Sequence, residues 1–284
     1  MVRLAVVIAL VASACVSTSD GTTTTATTEP VTTTTAPDSD TPPSTVVVAP
    51  CASLDVPFTD AGPAGSGGVE SSDAALVDSI RWESHDGCER LRIAFSTLEG
   101  APAVSPPAVG ATFLRHAGVV RIQFGSSIVG SVFAEQLVDT ELVRRVFVIT
   151  AFDGSVSVDV HLAAPAFVRS SAQTLPASVV LDLIPGGDPY PSPPVVDDGL
   201  VLIGPDPETS ATYPLTVGGY TEPDGRETIE GRLAGSDGSV VLGQGAIRPS
   251  DRTWSGFSIV FPNGPSGPVT VGIEDGPSLR LSIG

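Results

Sequence analysis

Lysine is missing from this chain altogether. All fourteen basic residues are arginine, they face 32 acidic residues, and the formal net charge is −18. A basic footprint is what nucleic acid or anionic lipid headgroups require, so this balance argues against both as partners. Aromatics are also scarce, with two Trp and three Tyr, and they form no row of the kind that sugar-binding sheets expose. Only three cysteines and three histidines occur. They supply no paired Cys/His ligand set for zinc, and the Asp-Gly steps lack the Asp-x-Asp ladder of a calcium loop. After the amino terminus, no stretch reaches the ~20 apolar residues that a membrane-spanning helix needs.

Catalytic patterns are equally thin. The segment Gly125-Ser126-Ser127-Ile128-Val129-Gly130 lacks Gly-x-Ser-x-Gly spacing. Ser84-His85-Asp86 are consecutive, and neighbours on a strand point to opposite faces, so they form no relay. His116 and His161 sit singly in alternating segments, as on a solvated sheet face. Asp159 and Asp182 stand on the polar parity of their strands, where carboxylates are expected to be solvated rather than paired for acid–base work; Asp182 is the better of the two for a fixed role, capping a loop by hydrogen bonds. No catalytic, cofactor or metal residue is therefore assigned.

What is present begins at the amino terminus. Arg3 precedes an apolar run from Leu4 to Val11, then Ala12-Ser13-Ala14 and Cys15. This has the length and order of a signal peptide. Small residues directly before a cysteine resemble a bacterial lipobox, which implies acylation of Cys15 and anchorage to the outer face of the cell membrane. The same triplet also fits ordinary A-x-A cleavage, with the cysteine tipping the balance. Cys51 and Cys88 then remain as an even pair. In an oxidising compartment they read as a disulfide closing a loop of about 37 residues; two free buried thiols are the alternative.

Residues 15–49 are the candidate lipidated cysteine and a Thr-rich tether. That segment has little to bury and is expected to be disordered, spanning roughly 30–35 Å on average. From Leu76 onward, period-2 alternation takes over. Val156, Val158, Val160 and Leu162 face one way, while Ser155, Ser157, Asp159 and His161 face the other. One short helix is conceivable at 134–142. A Pro/Gly-dense linker is expected at 187–199. It divides a first β-sandwich (50–186) from a second (200–284), whose seven short strands alternate with Asp-Gly turns. The fold class is all-β: two sandwiches behind a tether.

Two resemblances refine this. His85-Asp86-Gly87-Cys88-Glu89-Arg90-Leu91-Arg92-Ile93-Ala94-Phe95 and Leu175-Pro176-Ala177-Ser178-Val179-Val180-Leu181-Asp182-Leu183 resemble the opening and closing strands of AMIN-like domains of actinobacterial envelope proteins. Cys88, Glu89 and Ser178 depart from the usual aromatic, Asp and Arg. Tyr213-Pro214-Leu215-Thr216-Val217-Gly218-Gly219, Gly238-Ser239-Val240-Val241 and Trp254-Ser255-Gly256-Phe257 resemble the Gmad2 immunoglobulin-like domain of sporulation and germination proteins. The first resemblance implies a non-catalytic sandwich that targets a protein to the cell wall, and the second an extracytoplasmic immunoglobulin-like module.

The expectation is a non-enzymatic envelope lipoprotein that binds peptidoglycan or other cell-wall glycan, or an envelope protein. Arg90, Arg92, Arg121, Arg169 and Asp182 form the candidate binding face. A glycan hydrolase using Asp159, Asp182 or Glu135 is the rival reading, and a passive spacer the third. The anchor is directly testable. Wild-type protein should partition into the detergent phase and Cys15→Ser into the aqueous phase; wild type already in water would contradict lipidation.

Overall fold

The computed structural model describes Cys51 and residues 56–85, 87–206, 212–273 and 276–284. The expected signal segment, Cys15, the whole of the tether and Asp86 lie outside the described residues. The chain is all-β. The first half supplies β1 (Gly62–Gly67), β2 (Leu76–His85), β3 (Cys88–Ser96), β4 (Val109–Leu114), β5 (Val119–Phe124), β6 (Gly130–Ser131), β7 (Glu135–Leu137), β8 (Val143–Thr150), β9 (Val156–Leu162), β10 (Ala166–Gln173) and β11 (Ser178–Pro185). The second half supplies β12 (Val195–Asp197), β13 (Leu200–Ile203), β14 (Leu215–Thr221), β15 (Thr228–Gly235), β16 (Val240–Ala246), β17 (Trp254–Phe261), β18 (Gly267–Ile273) and β19 (Ser278–Ile283).

These strands build three sheets. One has the order β10-β11-β3-β2-β6 and another β16-β15-β18-β19. The third runs β1-β4-β5-β9-β8-β17-β14-β13-β12, with β7 also on β8, and is shared by both halves of the chain. Its first half packs on the five-stranded sheet over a core that includes Ile93, Phe95, Val158, Val160, Leu181 and Leu183. Its second half packs on the four-stranded sheet over Leu202, Val217, Leu233, Ile259, Phe261 and Val271. Period-2 alternation explains both cores, because each strand turns one apolar row inward.

The halves of the shared sheet join at β8 and β17 through only two parallel pairs, Trp254↔Ile149 and Ser255↔Thr150. Around this seam the outward row is also apolar. Val119, Phe147, Ile149, Val201, Ile203, Tyr220 and Trp254 form a third buried cluster. Phe147 lies 5.1 Å from Tyr220 and 4.9 Å from Trp254 between ring centroids, in tilted and edge-on geometries that aromatic quadrupoles favour. The outward faces of the two sandwiches thus meet across the seam.

Two local expectations change. Residues 134–142 contain no helix: β7 pairs antiparallel with β8, and Thr140 Oγ1 accepts the Val143 N–H to close the following turn. The short segment satisfies its backbone through the neighbouring strand instead of through itself. Segment 187–199 is held at several points. The Tyr190 hydroxyl donates to the Ala164 carbonyl at 2.8 Å and accepts from the Ala166 N–H at 3.1 Å. The Ser192 N–H donates to the His116 carbonyl at 2.8 Å, and β12 pairs with β13. Pro/Gly richness here reports irregular backbone that is nonetheless docked.

Gly118 makes that docking possible. It ends the 3-10 turn Arg115–Ala117 at φ +62°, and a Cβ there would fall 2.3 Å from Tyr190 Cδ2. Gly118→Ala would strain the backbone and push Tyr190 away. We expect a loss of about 2 kcal/mol, read as a lower urea midpoint together with faster protease cutting within residues 187–194. Unchanged stability would contradict this packing.

Candidate binding site

Four of the five residues expected on the binding face do share one. Arg90 and Arg92 (β3), Arg169 (β10) and Asp182 (β11) lie on the outward side of the five-stranded sheet, with Asp182 registered between Arg90 and Arg169. Arg121, on β5, belongs to the other sheet.

The shared face is occupied by its own contacts. The Asp182 carboxylate is fully buried and accepts from Arg90 Nε at 2.6 Å and Nη2 at 3.0 Å. It also accepts from Arg169 Nε at 3.1 Å. The Asp182 carboxylate raises the Arg90 guanidinium above its ordinary value. Arg169 continues outward: it donates to the Cys51 carbonyl and lies 4.4 Å from the Phe58 ring centroid. Thr59 exchanges two 2.8 Å backbone hydrogen bonds with Val168, adding one rung to the β10 edge. The Cys51–Cys88 disulfide, with Cα atoms 6.5 Å apart, fastens the same segment to the start of β3. Arg92 donates to Gln173 Oε1 at 2.8 Å and Ser178 Oγ at 3.1 Å. Arg169 and the disulfide thus clamp Cys51 and the residues around Phe58 onto the sandwich. A solvated Asp182 was the wrong expectation. Two guanidinium groups replace its water, which period-2 parity alone does not disclose.

Asp159 is also fully buried, on the outward side of β9 in the shared sheet. It accepts from Arg121 Nε at 2.9 Å and Nη2 at 2.7 Å, and its charge raises the Arg121 guanidinium above its ordinary value. Asp159 and Asp182 therefore lie on opposite outward faces of the first sandwich, with the core between them, and do not converge. Glu135 pairs with Arg145 at 3.7 Å. Among the described residues, no three His, Cys, Asp or Glu side chains cluster as a metal would require.

Beside Asp159 the sequence reading missed a second arrangement. His161 is buried, not solvated, and its Nε2 is hydrogen-bonded to the Tyr220 hydroxyl across the seam. Burial pushes the His161 imidazole from 6.5 down to about 4; Asp159 opposes this, while Arg121, Arg145 and Arg144 add to it. Tyr220 is buried, and burial pushes its phenol well up. His116 Nε2 lies 3.1 Å from the Gly204 carbonyl, a further link between the halves.

Above the seam the two halves diverge and leave a cleft of about 930 Å³. Gln123, Ser155 and Ser157 line one wall, Thr216 and Ser258 the other, and Arg121 also lines it. Phe152, on the β8–β9 turn, is 63% exposed at the lip. Two glycines keep the second wall low. A Cβ on Gly218 would touch only the Phe257 carbonyl, at 3.7 Å, so the space above it is open. Gly256 stands beside Ile149, whose Cγ2 would be 3.2 Å from such a Cβ. Arg121 uses Nε and Nη2 on Asp159. Its charge is compensated and its guanidinium plane fixed at the cleft lining.

The clamp carries a prediction. Arg169→Met leaves the Asp182 charge buried with one partner fewer, so unfolding free energy should fall by about 3–5 kcal/mol in urea titrations. Arg92→Ala, which touches neutral groups, should cost about 1 kcal/mol. Equal effects would contradict the clamp. No family model, curated protein or solved structure matches this chain, so the functional reading rests on this geometry and on the residues that form it.

Proposed function

We propose that this chain is a non-catalytic binding protein of the cell envelope that holds a neutral, hydroxyl-rich glycan strand in the cleft between its two sandwiches. The observation that carries the reading is the cleft's lining. Gln123, Ser155, Ser157, Thr216 and Ser258 are neutral hydrogen-bonding side chains, the guanidinium among them is neutralised by Asp159, and the one carboxylate in the lining, Asp153, accepts from Ser155. Such a surface matches hydroxyl and amide oxygens rather than a polyanion. A net charge of −18 would in any case repel anionic polymers. Phe152 at the lip offers an apolar face against which a sugar ring stacks.

The AMIN-like and Gmad2-like stretches support an envelope role, and the lipobox-like residues before Cys15 support a tether on the membrane side. In this reading the Thr-rich segment lifts the clamped sandwich pair toward the wall. Asp182 and Arg169 fasten Cys51 and the residues around Phe58 instead of meeting ligand, and Arg121 is the member of the expected binding face that contacts the glycan.

Full-length protein should co-sediment with purified cell-wall glycan, and the bound fraction should change only modestly as salt rises, because no net charge is exchanged. Gly218→Phe should fill the cleft and lower the bound fraction at least about tenfold, a loss near 1.4 kcal/mol, with little change in thermal midpoint. No sedimentation at any salt, or Gly218→Phe binding like wild type, would overturn the proposal. Release of soluble sugar by the wild type would replace it with the hydrolase reading.

A further inference from the structure

We propose that the seam beneath the cleft is an acid-released latch: protonation of His161 separates the two sandwiches while leaving each one folded. The inference starts from how little backbone joins them, two residue pairs between β8 and β17. The largest side-chain contact across the seam is the outward cluster of Phe147, Ile149, Tyr220 and Trp254, with His161 hydrogen-bonded to Tyr220 beside it.

Every element around His161 bears on the added proton. Phe147 of β8 packs its ring 4.8 Å away, and Tyr220 of β14 lies 6.1 Å away. Arg145 of β8 stands directly opposite in register, over the Phe147 ring and next to Glu135 of β7. Arg144 of β8 and Arg121 of β5 supply two further positive charges. Asp159 of β9 is the nearest carboxylate, and both of its oxygens already hold Arg121. Trp254 of β17, Val201 of β13 and Val119 of β5 contribute apolar surface. An imidazolium here would be a further cation in an aromatic, water-poor site, with no carboxylate free to pair with it.

The other side-chain bonds at the seam tolerate acid. Thr150 and Thr253 share a hydroxyl–hydroxyl bond of 2.7 Å, which does not titrate. His116 donates to the Gly204 carbonyl, and a protonated ring donates equally well. A proton on His161, by contrast, would sit against the Tyr220 hydroxyl and the Phe147 ring.

The sign follows from linkage. The closed seam holds His161 neutral to about 4, whereas a solvated imidazole titrates at 6.5. The closed form is therefore fully favoured above 6.5. Below that, the ratio of open to closed molecules rises by up to about tenfold per pH unit, until the closed-state value is reached. Opening would part the Gln123 and Ser157 wall from the Thr216 and Ser258 wall and release whatever the cleft holds. That last consequence rests on the glycan reading; the latch itself does not.

The test uses the full chain with Trp82→Phe, so that Trp254 alone reports on the seam, and no ligand is added. Between about pH 7.5 and about pH 3.5, Trp254 emission should shift to the red while the far-ultraviolet circular dichroism stays constant. His161→Gln should abolish the shift, and His116→Asn should retain it. Arg145→Gln, at a half-exposed position and without a change at His161, should move the midpoint to lower pH, because one opposing charge is gone. A silent Trp254, an unchanged shift in His161→Gln, an unmoved midpoint in Arg145→Gln, or a shift coincident with loss of dichroism would each overturn the latch. Failure of glycan binding with the acid shift intact would instead reject the proposed ligand and leave the latch standing.

Discussion

Two backbone pairs cannot fix the orientation of two sandwiches, so side chains must do it. The contact of Tyr220 with Phe147, Trp254 and His161 is the interaction on which the rest of the arrangement depends. Without it, the shared sheet would be two sheets joined by a weak strand contact and a peptide segment. With it, the outward faces of β9 and β14 are brought together and the walls of the cleft are held apart at a set distance. The aromatic rings supply area, while the polar tip of Tyr220 requires a partner at one place only. That combination gives the seam a single register.

Charge is handled in the same manner on both outward faces of the first sandwich. A buried carboxylate is ringed by guanidinium groups: Asp182 by Arg90 and Arg169, Asp159 by Arg121. Arginine suits this task because its planar fork takes both carboxylate oxygens at once. The outcomes differ. At Asp182 the second arginine reaches the Cys51 carbonyl, and the site becomes a fastening for the amino-terminal segment. At Asp159 the single arginine lies at the edge of the cleft, and the site becomes a fixed donor. One motif thus serves anchorage on one side and holds a cleft-lining guanidinium on the other.

Much of the fold was legible in the sequence. Period-2 alternation marked the strands, and in the second half seven segments reappear as β13 to β19 with shifts of a residue or two at their ends. Asp-Gly steps mark turns: Asp224 and Asp237 accept the N–H groups of Arg226 and Ser239. An even pair of cysteines announced the disulfide. The cleft was not legible. Alternation tells which residues leave the core, but not what they meet afterwards. Phe147, Tyr220 and Trp254 are distant in sequence, and only the pairing of β8 with β17 makes them neighbours. Asp159 and Asp182 obey the polar parity of a solvated face and are nonetheless buried, since their arginines come from adjacent strands set by register. The one available signal was composition: Asp159, Asp182 and Arg121 lie mid-strand, each between two apolar residues.

The claim on which this account turns is that the cleft, rather than the arginine face of the five-stranded sheet, is the recognition surface. Backbone amide shifts of isotope-labelled protein, followed while soluble neutral glycan fragments are added at neutral pH, test it most directly. The account predicts saturable shifts at Gln123, Ser157, Gly218 and Ser258, with Arg92 and Asp182 unmoved. Shifts centred on Arg92, Asp182 and their neighbours, with the cleft silent, would contradict it.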